Sequence, residues 1–466
     1  MKSIKLALMG GAALAVTSAA AHADDLDALK AQIETLNARV AAMEAAPAVP
    51  AGYSLLTISE GPRSETPGLP LTSQEAAGYG NEATYISVLP TADAPAGATI
   101  SWSGYARAGV RYVNTKDDLS LKDANGEELE VSGSTDSDDT DIPARGQLRV
   151  KASTDTAVGE VGVDIRLRAN FDGNGSGDVY SDVAWGYWSM TPELTFGGGY
   201  AGSLGNIGYG YDGACTCYLT DSADVGFNPG DTTQLRLSYA SGPFSMALAV
   251  EDATVNSGWV GNGGNTPAHG TQLGAAGEVK YSGDVVNGEV SGVWRDREES
   301  PFGGDALWQI GAGLAFSLGD MASLSLGAAF GEGPFELVAS NSSPNGGEIT
   351  NALPINQSWW GISGLASANL SDSIHAEIGA GYKSRDGDNA ELSDGTDTFD
   401  TDLDRTSWGV LGGIYYDPVD QLTLGIEAEY WENKTDGSFE LEGDPAGDLE
   451  FTNQNFQVDF VSVWRF

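Results

Sequence analysis

The chain has 466 residues, with 23 Lys and Arg against 66 Asp and Glu, and a formal net charge of −43 at pH 7. This excess of acid excludes nucleic acid as a natural partner, because phosphate binding requires clustered basic side chains. Only 41% of the residues are hydrophobic, and nothing after Ala23 approaches the roughly 20 consecutive apolar residues of a membrane-spanning helix.

The first residues have the pattern of an export signal. Lys2 and Lys5 form a basic start, an apolar stretch follows over 6–21, and Ala21 and Ala23 flank His22 in an A-x-A cleavage site. The pattern predicts a signal peptide over 1–23 and a mature chain that begins at Asp24. An exported chain without an apolar helix can cross a membrane only as a closed β-barrel.

Residues 24–46 carry a short heptad repeat. Its apolar positions recur at spacings of three and four, at Leu29, Ile33, Leu36, Val40 and Met43. We expect a coiled-coil helix that is too short to be stable alone and associates because other contacts hold the chains together. The alternative is one amphipathic helix lying on the periplasmic end of the barrel.

Residues 47–97 are rich in proline and have no sustained period. This composition predicts a periplasmic linker with short extended pieces at 53–59 and 83–89. The pattern leaves open whether the linker stays in the periplasm, packs beneath the barrel or plugs it. Contact of residues 24–97 with peptidoglycan is a further expectation.

From residue 98 the chain alternates apolar and polar residues, which is typical of strands with one face in lipid and one in water. In the first strand Trp102 and Val110 belong to the apolar face, and Arg107 and Arg111 to the polar face. Sixteen strands follow from the pattern: 100–112, 146–153, 158–171, 182–190, 194–200, 232–240, 244–251, 271–281, 285–295, 306–318, 322–330, 358–370, 374–383, 406–416, 422–431 and 454–466.

The connections between these strands alternate between very short turns and long polar loops, such as 114–145, 201–231, 384–405 and 432–453. This asymmetry favours an outer-membrane barrel over a soluble β-sandwich or a propeller. The predicted fold is an all-β, 16-stranded antiparallel transmembrane barrel over 98–466. The aromatic last residue, Phe466, is typical of the signal read by the barrel assembly machinery.

The chain resembles the general porins of alphaproteobacteria, of the rhizobial and brucella type. The resemblance lies in the signal peptide, the heptad with its run 29–33, the opening 103–109, the run 146–150 and the aromatic C-terminus. It implies a trimer of barrels embedded among outer-membrane lipids and lipopolysaccharide, in which the third long loop folds inward. The proline-rich segment between heptad and barrel departs from the family pattern.

A lumen of sixteen strands is too wide for side chains to fill, so a water-filled channel is expected. On the polar face of the early strands, which would line the lumen, the basic residues predict a basic wall. Its members are Arg107, Arg111, Arg149, Lys151, Arg166, Arg168 and Arg236. Across from it the third long loop, 201–231, would place the acids Asp212, Asp221, Asp224 and Asp231. The transverse field between them would select solutes by size and dipole.

Cys215 and Cys217 lie in that loop. Pairing with each other, pairing between chains and two free thiols all stay open, because a Cys-x-Cys disulfide is strained. Asp172, Asn174, Ser176 and Asp178 have the spacing of a calcium loop, but the twelfth position is Val183, so at most a weak site is expected. No cofactor or other metal is predicted.

The sequence therefore predicts a general diffusion porin of the bacterial outer membrane and no enzyme, since no catalytic constellation is present. Two rival hypotheses remain. The basic wall would serve as an anion ladder in a substrate-specific channel for anions or sugars, or the barrel would anchor an envelope tether made by residues 24–97.

Overall fold

The computed structural model describes residues 55–89, 98–123, 125–128, 132–171, 177–220, 225–252, 273–296, 306–319, 321–335, 355–393, 398–441 and 447–466. The predicted signal peptide, the heptad helix and most of the predicted loop tips lie outside these residues. The chain divides into two compact units, Met1–Thr57 with Ser87–Gly97, and Ile58–Ile86 with Ala98–Phe466. In the described part, no helix is long and apolar enough to span a membrane.

Nineteen strands and two short helices make up the described elements. Before the barrel come β1 (Leu55–Pro62), α1 (Ser73–Tyr79) and β2 (Glu82–Leu89), and α2 (Gly210–Ala214) lies in the third loop. The others are β3 (Ala98–Lys122), β4 (Gly133–Asp141), β5 (Ala144–Thr156), β6 (Gly159–Phe171), β7 (Val179–Ser189), β8 (Leu194–Gly202), β9 (Asp231–Ser241), β10 (Phe244–Asp252), β11 (Leu273–Ser282), β12 (Val286–Asp296), β13 (Ala306–Ser317), β14 (Ala322–Phe335), β15 (Ile355–Ser371), β16 (Ile374–Ser393), β17 (Thr398–Val419), β18 (Leu422–Leu441) and β19 (Gly447–Arg465).

Strands β3 and β5–β19 close into a barrel of sixteen antiparallel strands. Each pairs with the next along the chain, from β3 with β5 through β18 with β19. The ring closes where β19 pairs with β3, for example Phe460 with Val110. The predicted fold class and strand number are confirmed.

Several predicted loops are in fact strand. Strand β3 runs on to Lys122 and pairs first with β5 and then with β4, and β16–β19 extend through 384–393, 398–405, 432–441 and 447–453. The prediction failed there because it treated the acidic residues as a loop signal. In 398–404 the acids recur at every second position, Asp400, Asp402 and Asp404, which is also the period of a strand.

The outer face of the barrel is apolar. Its exposed side chains include Val110, Val163, Ile165, Leu237, Leu248, Val290, Leu314, Leu326, Ile362, Ile378, Ile414 and Phe460. Aromatic rings on neighbouring strands touch, as with Trp360 and Tyr382 at 5.4 Å and Trp408 and Tyr430 at 5.3 Å between ring centroids. Such a band with an aromatic rim fits a bilayer, and the opposite parity faces the lumen.

A charge placed on the outer band should destabilise the barrel according to its depth. Leu248, near the middle of β10, is 70% exposed, and Val179, at the start of β7, is 69% exposed. We expect Leu248→Arg to cost about 2–4 kcal/mol of unfolding free energy in lipid and Val179→Arg about 0–1 kcal/mol. Denaturant titration of refolding in phospholipid vesicles measures both, and equal costs would contradict a midplane position for Leu248.

Candidate functional site in the barrel lumen

The third loop runs along the inner wall of the barrel. At its start, Glu251 of β10 accepts hydrogen bonds from the Ser203 hydroxyl at 2.8 Å and the Leu204 N–H at 3.2 Å. Further on, Glu289 of β12 accepts from the Gly208 N–H at 2.5 Å. The loop thus follows the wall with its backbone donors turned toward strand side chains.

The second half of the loop is held in the same way. Glu377 of β16 accepts the Thr216 N–H at 3.1 Å. Glu427 of β18 accepts three successive backbone N–H groups, from Tyr218 at 2.7 Å, Leu219 at 2.9 Å and Thr220 at 3.0 Å. Charged acceptors make stronger hydrogen bonds than neutral ones, and these are buried. The wall carboxylates therefore fix the path of the loop.

Close approach to the wall explains a glycine in the loop. Gly210 has φ +80°, and a Cβ there would lie 2.2 Å from the Ser363 hydroxyl oxygen. Its N–H donates to the Ser325 hydroxyl at 2.8 Å, and the next N–H, of Tyr211, donates to Ser363 at 3.1 Å. Only a residue without a side chain fits this conformation at this distance.

The structure joins Cys215 and Cys217 by a disulfide. Both side chains are buried, in an apolar cluster with Tyr211, Val225 and Leu365. The loop tip is thus anchored by apolar packing as well as by hydrogen bonds. A role for the disulfide in holding the tip stays a prediction.

A second segment also lies inside the barrel, residues 63–81 of the predicted linker. Its helix α1 begins with a capping box, in which Thr72 accepts from the Glu75 N–H and Glu75 accepts from the Thr72 N–H at 3.0 Å. Leu69 packs in a buried cluster with Val183, Trp185 and Tyr187 of β7. We call residues 63–81 the luminal segment.

The basic wall contacts this segment. Arg149 donates to both oxygens of Asp164, at 2.7 Å for the shortest contact, and to the Thr66 hydroxyl at 2.9 Å. Thr66 in turn donates to Asp164 at 2.7 Å. Three polar groups thereby satisfy one another in a site where Arg149 is 2% and Asp164 0% exposed. Pairing of this kind is what makes a buried charge tolerable.

Two more wall arginines bind the same segment. Arg166 forms an ion pair of 2.8 Å with Glu75, in which the Arg166 side chain is 3% and the Glu75 side chain 15% exposed. Arg236 donates to the Gly68 carbonyl at 2.7 Å and lies over the Trp185 ring at 5.1 Å. Both guanidinium groups therefore have partners inside the barrel, and the Glu75 carboxylate compensates the charge of Arg166.

The remaining wall residues have other partners. Arg168 pairs with Asp182 at 2.9 Å, Arg111 pairs with Asp459 at 3.0 Å, and Lys151 donates to the Glu65 carbonyl at 2.7 Å. Arg107 is buried opposite Arg145 in the register of β3 and β5. Among the described residues the Arg107 guanidinium forms no ion pair, and its Nε has no hydrogen-bond partner.

The structure places the other predicted site residues unevenly. Asp231 is described at the start of β9 and Asp178 just before β7, whereas Asp221, Asp224, Asp172, Asn174, Ser176 and the side chain of Asp212 lie outside the described residues. Where chain is described, no group of acidic, His or Cys residues could hold a metal. At the C-terminus, Phe466 exchanges backbone hydrogen bonds with Gly104 at 3.1 and 3.2 Å.

Sequence reasoning missed several partners of the predicted basic wall, namely Thr66, Glu75 and Asp182, and the position of Arg145 opposite Arg107. Two signals could have located the luminal segment. One is the T-x-x-E pattern of residues 72–75, a helix start inside a proline-rich stretch. The other is that Val461 and Val463 of β19 point into the lumen, where contact with water would favour polar side chains. Both are 0% exposed, because other parts of the chain cover them.

These two valines lie in a cluster that joins the loop and the luminal segment. It contains Tyr79 from α1, Tyr218 from the loop, and Tyr105 and Tyr415 from the wall. Tyr79 meets Tyr105 edge-on at 5.5 Å, and Tyr218 meets Tyr415 edge-on at 5.7 Å. Burial raises the pKa of Tyr218 to about 12, so its hydroxyl stays neutral.

A family model described as a porin subfamily matches residues 98–460, which is the barrel from its first strand to its last. The chain belongs to this porin subfamily. Family and fold together place the porin in the outer membrane of Gram-negative bacteria and support a diffusion channel. The narrower alphaproteobacterial assignment stays a prediction.

Solved structures of several outer-membrane proteins are similar to this porin. The channel DcaP of Acinetobacter baumannii is 12% identical over 79% of this chain and 97% of its own, with a TM-score of 0.45. An anion-selective porin from Comamonas acidovorans is 11% identical over 79% and 100%, with a TM-score of 0.47. OmpT of Vibrio cholerae is 13% identical over 79% and 98%, with a TM-score of 0.42. No curated protein sequence matches significantly.

Removal of one wall carboxylate should loosen the loop. Glu427→Leu leaves the N–H groups of Tyr218, Leu219 and Thr220 without their acceptor, so we expect a loss of at least about 2 kcal/mol of unfolding free energy. The loop should also fluctuate, which appears as added noise in single-channel current. Glu427→Gln keeps an acceptor oxygen and should lose less; equal effects of the two variants would contradict this anchoring role.

Proposed function

We propose that this porin is a passive, water-filled channel for ions and small hydrophilic solutes, narrowed where the third loop faces the basic wall. The observation that carries the proposal is the polar lumen of a sixteen-stranded barrel whose outer face is apolar. A barrel of this size leaves an aqueous path unless the chain fills it. Size and the local field then select solutes, with no covalent or tightly bound intermediate.

The charge balance favours weak cation selectivity. Arg149 and Arg166, which would otherwise attract anions, are paired with Asp164 and Glu75. The whole chain carries a formal charge of −43, which enriches cations near its surface. Arg107 opposes this cation selectivity, because its positive charge has no ion-pair partner among the described residues.

The assembled state that we propose is a homotrimer in a membrane of lipid and lipopolysaccharide. The heptad over 24–46 would strengthen association of chains that the barrels already hold together. The barrel assembly machinery would read the C-terminal Phe466, and the parts of residues 24–97 outside the luminal segment would reach peptidoglycan. Comparing the mass of the detergent-solubilised protein with and without residues 24–46 measures the contribution of the heptad.

Two other functions give different results in the same assays. A substrate-specific channel for anions or sugars predicts saturable current and block by one class of solute. An envelope tether predicts that deletion of residues 24–96 abolishes an envelope phenotype while the barrel itself is dispensable. The diffusion channel predicts that the deleted form still conducts.

The direct test is single-channel current of the purified protein in a planar bilayer with a salt gradient. We expect ohmic steps that arrive in threes, are indifferent to added sugars and phosphate, and reverse at a potential showing weak cation preference. Saturation by one solute would favour the specific channel. A folded but silent barrel would contradict the proposal and favour the tether.

Neutralising Arg107 should increase cation preference. Arg107→Gln removes a positive charge without leaving an ion-pair partner behind, so the reversal potential in a salt gradient should move toward the Nernst potential of the cation. Arg145→Gln, directly opposite, should act in the same direction. An unchanged reversal potential in the double variant would remove both residues from the conduction path.

A further inference from the structure

The luminal segment, residues 63–81, lies outside the part of the chain that the porin family model matches, which begins at residue 98. It nevertheless contacts the inner wall over several strands. Thr66 reaches Asp164 of β6, Gly68 reaches Arg236 of β9, and the Tyr79 hydroxyl accepts from the Gln147 amide of β5 at 2.7 Å. The family fold is thus supplemented by a stretch of chain inside the lumen.

The segment is fixed on its other sides as well. Gln74 donates to the Cys217 carbonyl of the third loop, and Arg465 of β19 donates to the Ala77 carbonyl at 2.8 Å. Helix α1 approaches the wall closely at Gly78, where a Cβ would lie 2.8 Å from the Tyr105 ring. The segment therefore has contacts with the early strands, the last strand and the third loop.

The luminal segment places a negative charge at the inner wall. Glu75, the acidic residue of α1, pairs with Arg166 of the predicted basic wall at 2.8 Å. Without Glu75, Arg166 would keep, among the residues that the structure describes, only the ion pair with Asp164 at 3.8 Å, and Asp164 already pairs with Arg149 at 2.7 Å. The carboxylate of Glu75 therefore cancels a positive charge that would favour anions in the lumen.

We infer that residues 63–81 form a fixed third wall of the permeation path, beside the barrel and the third loop, and that Glu75 is a specificity-determining residue. A helix is about 10 Å across, so the segment removes a large part of the cross-section. Its chemistry favours small cations and disfavours bulky anions such as polyphosphates. The inference rests on the proposed channel function.

The first test neutralises Glu75 alone. Glu75→Gln keeps a side chain that can complete the capping box, so the segment should stay folded. We expect the reversal potential in a KCl gradient to move toward the Nernst potential of chloride. The matched control is Glu82→Gln, an exposed residue beyond the segment, which should not shift it. Equal shifts in the two variants would overturn the role of Glu75.

The second test asks whether the segment occupies the lumen. A Cβ on Gly68 would lie 3.4 Å from the Cβ of Ser238 on β9, close to the spacing in a disulfide. Gly68 has φ +72°, a conformation that costs a cysteine about 1–2 kcal/mol, which is less than a disulfide typically contributes. Gly68→Cys with Ser238→Cys should therefore cross-link under oxidation, and neither single variant should. The product is recognised by mass spectrometry of linked peptides. Failure of the pair to link in the folded protein would overturn the inference.

The third test replaces residues 63–81 by a Gly-Ser chain of equal length. We expect single-channel conductance to rise at least about twofold, because the helix and its packed side chains no longer fill the lumen. Unchanged conductance in a folded barrel would overturn the third wall while leaving the channel function intact. Silence of both the wild-type and the replaced protein would instead contradict the channel function itself.

Discussion

Closure of the sheet between β19 and β3 is the constraint on which the rest of this porin depends. Hydrocarbon offers no partner for a backbone N–H or C=O, so every strand must find two neighbours and the last must meet the first. A ring of sixteen strands then encloses more space than its own side chains can fill. The third loop and the luminal segment both lie in space that closure has created.

The buried charges of the lumen bind two different pieces of chain. On one side, Glu251, Glu289, Glu377 and Glu427 accept backbone N–H groups of the third loop. On the other, Arg149, Arg166 and Arg236 bind the luminal segment. Each charge thereby offsets its desolvation through a partner, and in the proposed channel each partner is also a piece of chain that narrows the path. In that channel, stability and selectivity would share the same contacts.

Alternation along the chain predicted all sixteen barrel strands, because lipid on one face and water on the other impose a period of two that few other folds sustain. The strand structure of residues 398–404 and 432–441 was not predicted, because acidic residues fit a loop as well as the polar end of a strand. The site was less predictable. Parity identified Arg149 and Arg166 on the inner face, but a one-dimensional pattern cannot show that Thr66 and Glu75, which precede them by 83 and 91 residues, lie against them.

The hydrogen bonds of Arg465 have a consequence for assembly. Arg465, the last residue of β19, donates to the carbonyls of Ala77 and Gly78 at the end of α1, groups that a helix cannot satisfy by itself. Closure of the ring therefore also completes α1, because the strand that closes the ring supplies the donors. A barrel without β19 would expose those carbonyls together with an open strand edge, so a single side chain couples barrel closure to the docking of the luminal segment.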